Sequence, residues 1–250
     1  MILPHLLLAL QLAAPADTTP HWRGEVTYGA EFHSRERRTW QTARTALGYR
    51  WSSGALIADL WTATRFGTWD QGGGLEGYFT LGRRLSAYAH AAVAPKATIL
   101  PRSDLTGEVT LALGSGWGGS ARYRRMAFPT ERVNILGLGV ERYAGRWYLR
   151  ALGTIVPRTG ATGLGLGLRA RRYLDPADPD ALVDFHADVG REVVIIAPDA
   201  PPELRSTASL GVRTQRHLGA AWGIALNLDW SHEERAPNRI GVGTTLFCTW

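Results

Sequence analysis

Large apolar side chains recur at every second position along much of the chain. In WGIALNLDW, residues 222–230, Trp222, Ile224, Leu226, Leu228 and Trp230 alternate with Gly223, Ala225, Asn227 and Asp229. The same period sets Val26, Tyr28 and Phe32 against Glu25, Thr27 and Glu31, and Leu164, Leu166 and Leu168 against Gly163, Gly165 and Gly167. It also sets Val183, Phe185 and Val189 against Asp184, His186 and Asp188. Successive side chains of a strand point to opposite faces, so the pattern predicts strands with one apolar and one polar face. About 14 segments carry it, with 12 the alternative count. They run roughly over 22–33, 41–51, 55–65, 74–82, 85–93, 104–114, 117–127, 131–143, 146–156, 161–173, 181–192, 204–216, 220–231 and 238–250.

The connections alternate in length. SSG, GRR, GSG, AGR and HLG are tight, with LDPADPD the longest of that set. The intervening ones are longer: SRERR, GTWDQGG, APKATILPRS, AFPTE, VPRTG, VVIIAPDAPPE and HEERAPN. This predicts an all-β, antiparallel transmembrane barrel with short periplasmic turns, longer extracellular loops and both termini periplasmic. Trp117, Trp147 and Trp222 follow tight turns directly, where a ring that is apolar at one end and wet at the other suits an interfacial girdle. Eight residue steps of about 3.3 Å on a strand tilted about 40° rise roughly 20 Å, so Trp222 and Trp230 mark opposite interfaces. A soluble sandwich also alternates, but it hides its apolar face in a core and would not need so many glycines and charges on the opposite face of nearly every strand.

The N-terminal ILPHLLLALQLAAPA is too short to cross a bilayer as a helix, and Ala14 and Ala16 form an A-x-A pattern before Asp17. We read residues 1–16 as a secretory signal cleaved after Ala16, and 17–250 as one barrel domain. No later run approaches 18 apolar residues, which excludes a helical membrane protein.

Composition changes this picture little. The 250 residues carry a net charge of +6, and Lys96 is the lone lysine among 28 basic residues. The arginines are dispersed among acids, with no basic run, so nucleic acid is not an expected partner. Cys248, the single cysteine, excludes an internal disulfide or a CxxC site.

The segment ARYRRMAFPTERVNILGLGVERYAGRWYLRALGTIVP, residues 121–157, places a Tyr-Arg strand, a Pro-containing loop, a glycine-alternating strand and a Gly-Arg-Trp-Tyr-Leu turn in succession. It resembles the YaiO family of outer-membrane β-barrels, and VAPKATILPRSDLTGEV and LGLRARRYL are similar to family segments as well. Arg125 and Met126 depart from the family pattern. The resemblance implies an outer-membrane barrel, with export of cell-surface polysaccharide an association of the family, and brings no catalytic residue.

On this parity the inward face collects Glu25, Glu31, Arg44, Arg50, Asp59, Arg65, Glu76, Glu108, Arg122, Arg124, Glu141, Arg150, Arg169, Arg171, Asp184, Asp188, Arg213 and Asp229. Such charges must be paired or solvated. Two functions follow: a channel or export component for polysaccharide or other polar solutes, or a closed structural or binding barrel. An enzyme is the reading from another class. His33, His90 and His186 point inward on strands that are not neighbours, and Ser231, His232 and Glu233 read as a solvated loop. No nucleophile motif, metal-ligand spacing or phosphate loop appears, so no catalytic residue, metal or cofactor is expected. Expected partners are outer-membrane lipid, the barrel-assembly machinery that reads an aromatic last residue such as Trp250, and a surface polysaccharide or periplasmic export partner.

Overall fold

The computed structural model describes residues 21–34, 39–158, 160–176, 178–194 and 203–250. The signal reading of residues 1–16 lies outside them. Fourteen strands follow one another: β1 (His21–His33), β2 (Trp40–Trp51), β3 (Gly54–Arg65), β4 (Thr68–Thr80), β5 (Leu85–Val93), β6 (Ser103–Gly114) and β7 (Trp117–Ala127), then β8 (Arg132–Ala144), β9 (Trp147–Arg158), β10 (Ala161–Tyr173), β11 (Leu182–Val194), β12 (Glu203–His217), β13 (Trp222–Glu233) and β14 (Arg239–Thr249). Each pairs antiparallel with its sequence neighbours, and β1 closes the sheet on β14, from Arg23 opposite Thr249 to His33 opposite Arg239. The count is fourteen, not twelve. Closure leaves no strand edge with unpaired backbone groups, the condition for a sheet to sit in hydrocarbon.

The two faces invert the usual rule of burial. Leu138, Leu60 and Trp69 point outward at 74%, 69% and 69% exposure, while Asp184 and Arg171 point inward at 2% and 1%. A sheet whose apolar side meets lipid and whose polar side meets itself requires this arrangement.

The connections correct one expectation. The turn side is mostly tight, as between β6 and β7, where Ser115 and Gly116 both take positive φ (51° and 79°) in the geometry of a type I′ hairpin. The opposite, loop side is not uniformly longer. GTWDQGG is no loop: β4 begins at Thr68, and Phe66 and Gly67 alone join it to β3, again with positive φ (51° and 78°). The left-handed Phe66 is held by an edge-on ring contact with Trp40 at 4.9 Å. The glycine run 72–74 then lies within a strand, where the Trp61 ring covers the space a side chain on Gly72 would need. VPRTG is likewise mostly strand, since β9 runs to Arg158 and β10 starts at Ala161.

Candidate functional site: the barrel lumen

Strand pairing brings the inward charges together across the wall. On the β2 to β4 side, Arg44 donates from Nη2 to Asp59 Oδ2 at 2.6 Å and Glu76 Oε1 at 3.2 Å, and Tyr78 Oη donates to Glu76 Oε2 at 3.1 Å. Arg65 lies over the Trp40 ring at 4.7 Å, and Arg50 faces inward opposite Ala55. Across β6 to β9, Arg124 Nε binds Asp104 Oδ1 at 3.0 Å, Arg150 Nη2 binds Glu108 Oε1 at 2.7 Å, and Tyr148 Oη donates to Glu141 Oε2 at 2.9 Å. Arg122 stands opposite Glu108. On β10 and β11, Asp184 accepts from Arg171 Nε at 2.9 Å and from Arg169. Asp188 accepts from Ser209 Oγ at 3.3 Å, and Arg213 Nη2 donates to Gln215 Oε1 at 3.1 Å. Most of these buried charges are offset by an opposite partner and hydrogen bonds, while Arg65 rests on the Trp40 ring and Arg213 on the neutral Gln215.

The turn-side half of the lumen is packed. Ala55, Ile57 and Tyr78 form a small apolar cluster inside the barrel, with Ala46 and Tyr88 against it. Tyr148, Phe247, Thr245 and Ala225, each 1% exposed, continue the packing round the other wall. Phe247 lies over Gly223, its cross-strand partner, and the Arg23 guanidinium stacks on that ring at 4.0 Å. The connection from β10 to β11 folds over this end. Its Asp180 accepts two hydrogen bonds of 2.9 Å from Arg23 Nη1 and one of 2.8 Å from Gln215 Nε2. His217 Nδ1 lies 3.1 Å from Asp178. Asp178, Asp180 and His217 thus converge, but Asp180 already carries a full arginine contact.

The loop-side half is uneven. The segment 94–102 folds inward onto β3, where Ala94, Ala97 and Leu100 bury themselves against the inward Ala63 and Trp61. Asp70 anchors it, accepting from the backbone amides of Thr98, Ile99 and Leu100 at 2.9, 3.0 and 2.8 Å. Across the lumen, the wall of β11 to β13 stays accessible. His186 Nε2 lies 3.1 Å from Asp229 Oδ1, and both side chains keep 38–39% of their surface although they point inward from the middle of their strands. Gly211 stands between them in the register, and a side chain there would collide with both.

Sequence reasoning passed over Arg23, Asp104, Tyr148 and Asp180. Parity extended to the first residues of β6 and β1 reaches Asp104 and Arg23. Asp180 has no such signal, because it lies in a connection.

Among groups weighed for catalysis, His33, His90 and His186 stand on β1, β5 and β11, which are not neighbours. Ser231 Oγ accepts from Arg239 Nε at 3.0 Å, while His232 stacks outward on Trp230 at 6.3 Å. Strand alternation puts the serine and the histidine on opposite sides of the wall.

Trp117, Trp147, Trp222 and Trp230 face outward, 37–62% exposed. Arg142 lies over the Trp117 ring at 4.7 Å, and Arg172 over the Trp147 ring at 5.6 Å. Trp250 exchanges two backbone hydrogen bonds with Trp22, of 2.8 and 3.0 Å, and its ring covers Gly24.

The family model described as the YaiO membrane beta barrel domain matches residues 22–192. The chain belongs to the YaiO membrane β-barrel family. It is an outer-membrane β-barrel with porin-like structural neighbours. The crystal structure of Pseudomonas aeruginosa OpdO is similar at a TM-score of 0.54 and 9% identity, covering 92% of this chain and 96% of that one. P. aeruginosa OpdL is similar at a TM-score of 0.54 and 10% identity, over 94% and 99%. A bacterial polysaccharide outer membrane secretin is similar at 0.51 and 9%, over 94% and 99%. At such identities the likeness is one of fold. No curated protein matches the YaiO chain.

Proposed function

We propose that this YaiO barrel is a narrow, water-filled passage for small polar solutes, with no enzymatic role. The observation that carries this reading is the accessible His186 and Asp229 pair at mid-height inside the wall. Inward side chains keep that much of their surface only beside open space, so their exposure argues for lumen space beside β11 to β13. Below it, Arg171, Asp184, Tyr148 and Phe247 form the constriction, where charged groups fixed in place favour a solute that replaces hydration with hydrogen bonds. Arg169 reaches from this constriction toward the accessible wall, and its planar fork suits carboxylates and sugar hydroxyls. A saccharide is the solute to try first, given the polysaccharide association that the family resemblance implies and the polysaccharide secretin among the similar folds.

The tight turns suit the periplasmic side and the loops the exterior. On that orientation the inward segment 94–102 narrows the outer mouth. The C-terminal Trp250 serves as the signal read by the barrel-assembly machinery, so Trp250→Ala lowers the fraction of heat-modifiable, folded protein in the outer membrane. An unchanged fraction would reduce Trp250 to an interfacial anchor.

The packing of Arg171 and Asp184, 1% and 2% exposed, favours a second reading: a closed barrel that binds or supports without transport. Single-barrel conductance in planar bilayers separates the two. Steady conductance that neutral and charged oligosaccharides block supports the passage; a folded but silent barrel supports the closed reading.

A further inference from the structure

The outer wall from β8 to β13 is not convex. An open trough of about 1030 Å³ runs along it, bounded on successive strands by outward residues such as Leu149, Ala170, Phe185 and Val212. These four are consecutive cross-strand partners, so the trough follows the direction of strand pairing. Because strands lean about 40° from the barrel axis, that direction climbs the wall. It starts at Trp117, the first residue of β7 on the turn side, and ends at Ile240, near the start of β14 on the loop side. The trough therefore crosses the apolar belt obliquely.

Its turn-side end is cationic. Arg142 lines the trough, and Arg172 lies two strands away on β10, a separation of roughly 10 Å across the sheet. Both point outward, each over a tryptophan ring, and among the described residues neither has an acidic partner. A positive pair at the interface, opening into a long apolar channel, matches one chemistry: a phosphate headgroup with acyl chains. The volume argues against a protein helix, since a helix ~10 Å wide crossing ~30 Å of hydrocarbon displaces more than ~2000 Å³.

We propose that this trough is a binding site for an anionic phospholipid. Arg142 and Arg172 hold its phosphate, Trp117 and Trp147 support the two guanidinium groups, and the acyl chains lie along Leu149, Ala170 and Phe185. The site is on the outer wall, and inward-facing residues such as Arg150, Arg169, His186 and Asp229 contribute to its floor between the outward ones.

Native mass spectrometry of the refolded full chain, delipidated in neutral detergent and titrated with dioleoyl phosphatidylglycerol, dioleoyl phosphatidylcholine or lipid A, tests it. The expected result is a single phosphatidylglycerol adduct retained about tenfold better than phosphatidylcholine. Arg142→Gln with Arg172→Gln removes that preference while leaving weak binding of both lipids, and Ala170→Trp, which fills the trough, weakens both. Equal retention of the two lipids by the unaltered protein overturns the proposal without recourse to any variant. A preference for lipid A overturns the choice of occupant, and a lipid-free dimer assigns the trough to a second copy of the chain.

Discussion

The turn-side half of the lumen and the β11 to β13 wall above it are built from the same kinds of side chain, yet one is packed and the other accessible. In the packed half, Asp184 is enclosed by Arg169 and Arg171, and Arg23 is shared between Glu25 and Asp180. Aromatic rings fill the gaps, with Phe247 occupying the space over Gly223. On the accessible wall a glycine stands between His186 and Asp229, which fill the space over it with each other and keep 38–39% of their side-chain surface. Charge does not by itself open a barrel. Whether a polar wall packs or stays accessible depends on what the neighbouring strand places beside each ion: a counter-charge with a ring buries it, while His186 and Asp229, which meet over Gly211, stay part-exposed.

The largest effect falls on the packed half. Asp184→Ala strands two arginines, one of them 1% exposed, and should cost about 3–5 kcal/mol in urea unfolding from lipid vesicles, whereas Asp188→Ala should cost under about 1 kcal/mol. Matching losses would erase the contrast. Phe247→Ala should cost about 3 kcal/mol and raise single-barrel conductance, because it empties the space over Gly223. A loss of stability with unaltered conductance would mean that the ring supports the wall but does not narrow the path.

Leu226→Arg and Asn227→Arg sharpen the face assignment beneath the comparison. An outward arginine near the membrane midplane should cost about 2–4 kcal/mol, and the inward one far less. Equal costs would invert the inner and outer faces of β13. The smallest effect belongs to the accessible wall: His186→Ala should change stability by less than about 1 kcal/mol, since its pairing with Asp229 is half in water. Its readout is oligosaccharide block of conductance, which should weaken; an unchanged block would place the solute path away from β11.

Much of this was legible in the chain. Alternation is local, so Glu76, Arg150 and Asp184 were placed on the inward register before any strand was paired. The turns with a glycine and a following tryptophan, at Gly116 and Trp117 and at Gly145 and Trp147, marked hairpins correctly. Reading GTWDQGG as a loop failed because three successive glycines look like a break, whereas Trp61 on the adjacent strand supplies the covering that Gly72 lacks. Asp180 was invisible for another reason. Its partner Arg23 lies 157 residues away, and nothing in LDPADPD signals that the connection folds over the barrel end.

By itself, the sequence determined the strands, their two faces and the closed membrane barrel they imply, because the geometry of an extended backbone turns a period of two into sidedness. The tertiary structure decided which charge meets which, where the lumen is packed, how segment 94–102 turns inward and where the outer wall is hollowed. Those features depend on register and curvature between strands, which bring together residues that no local pattern connects.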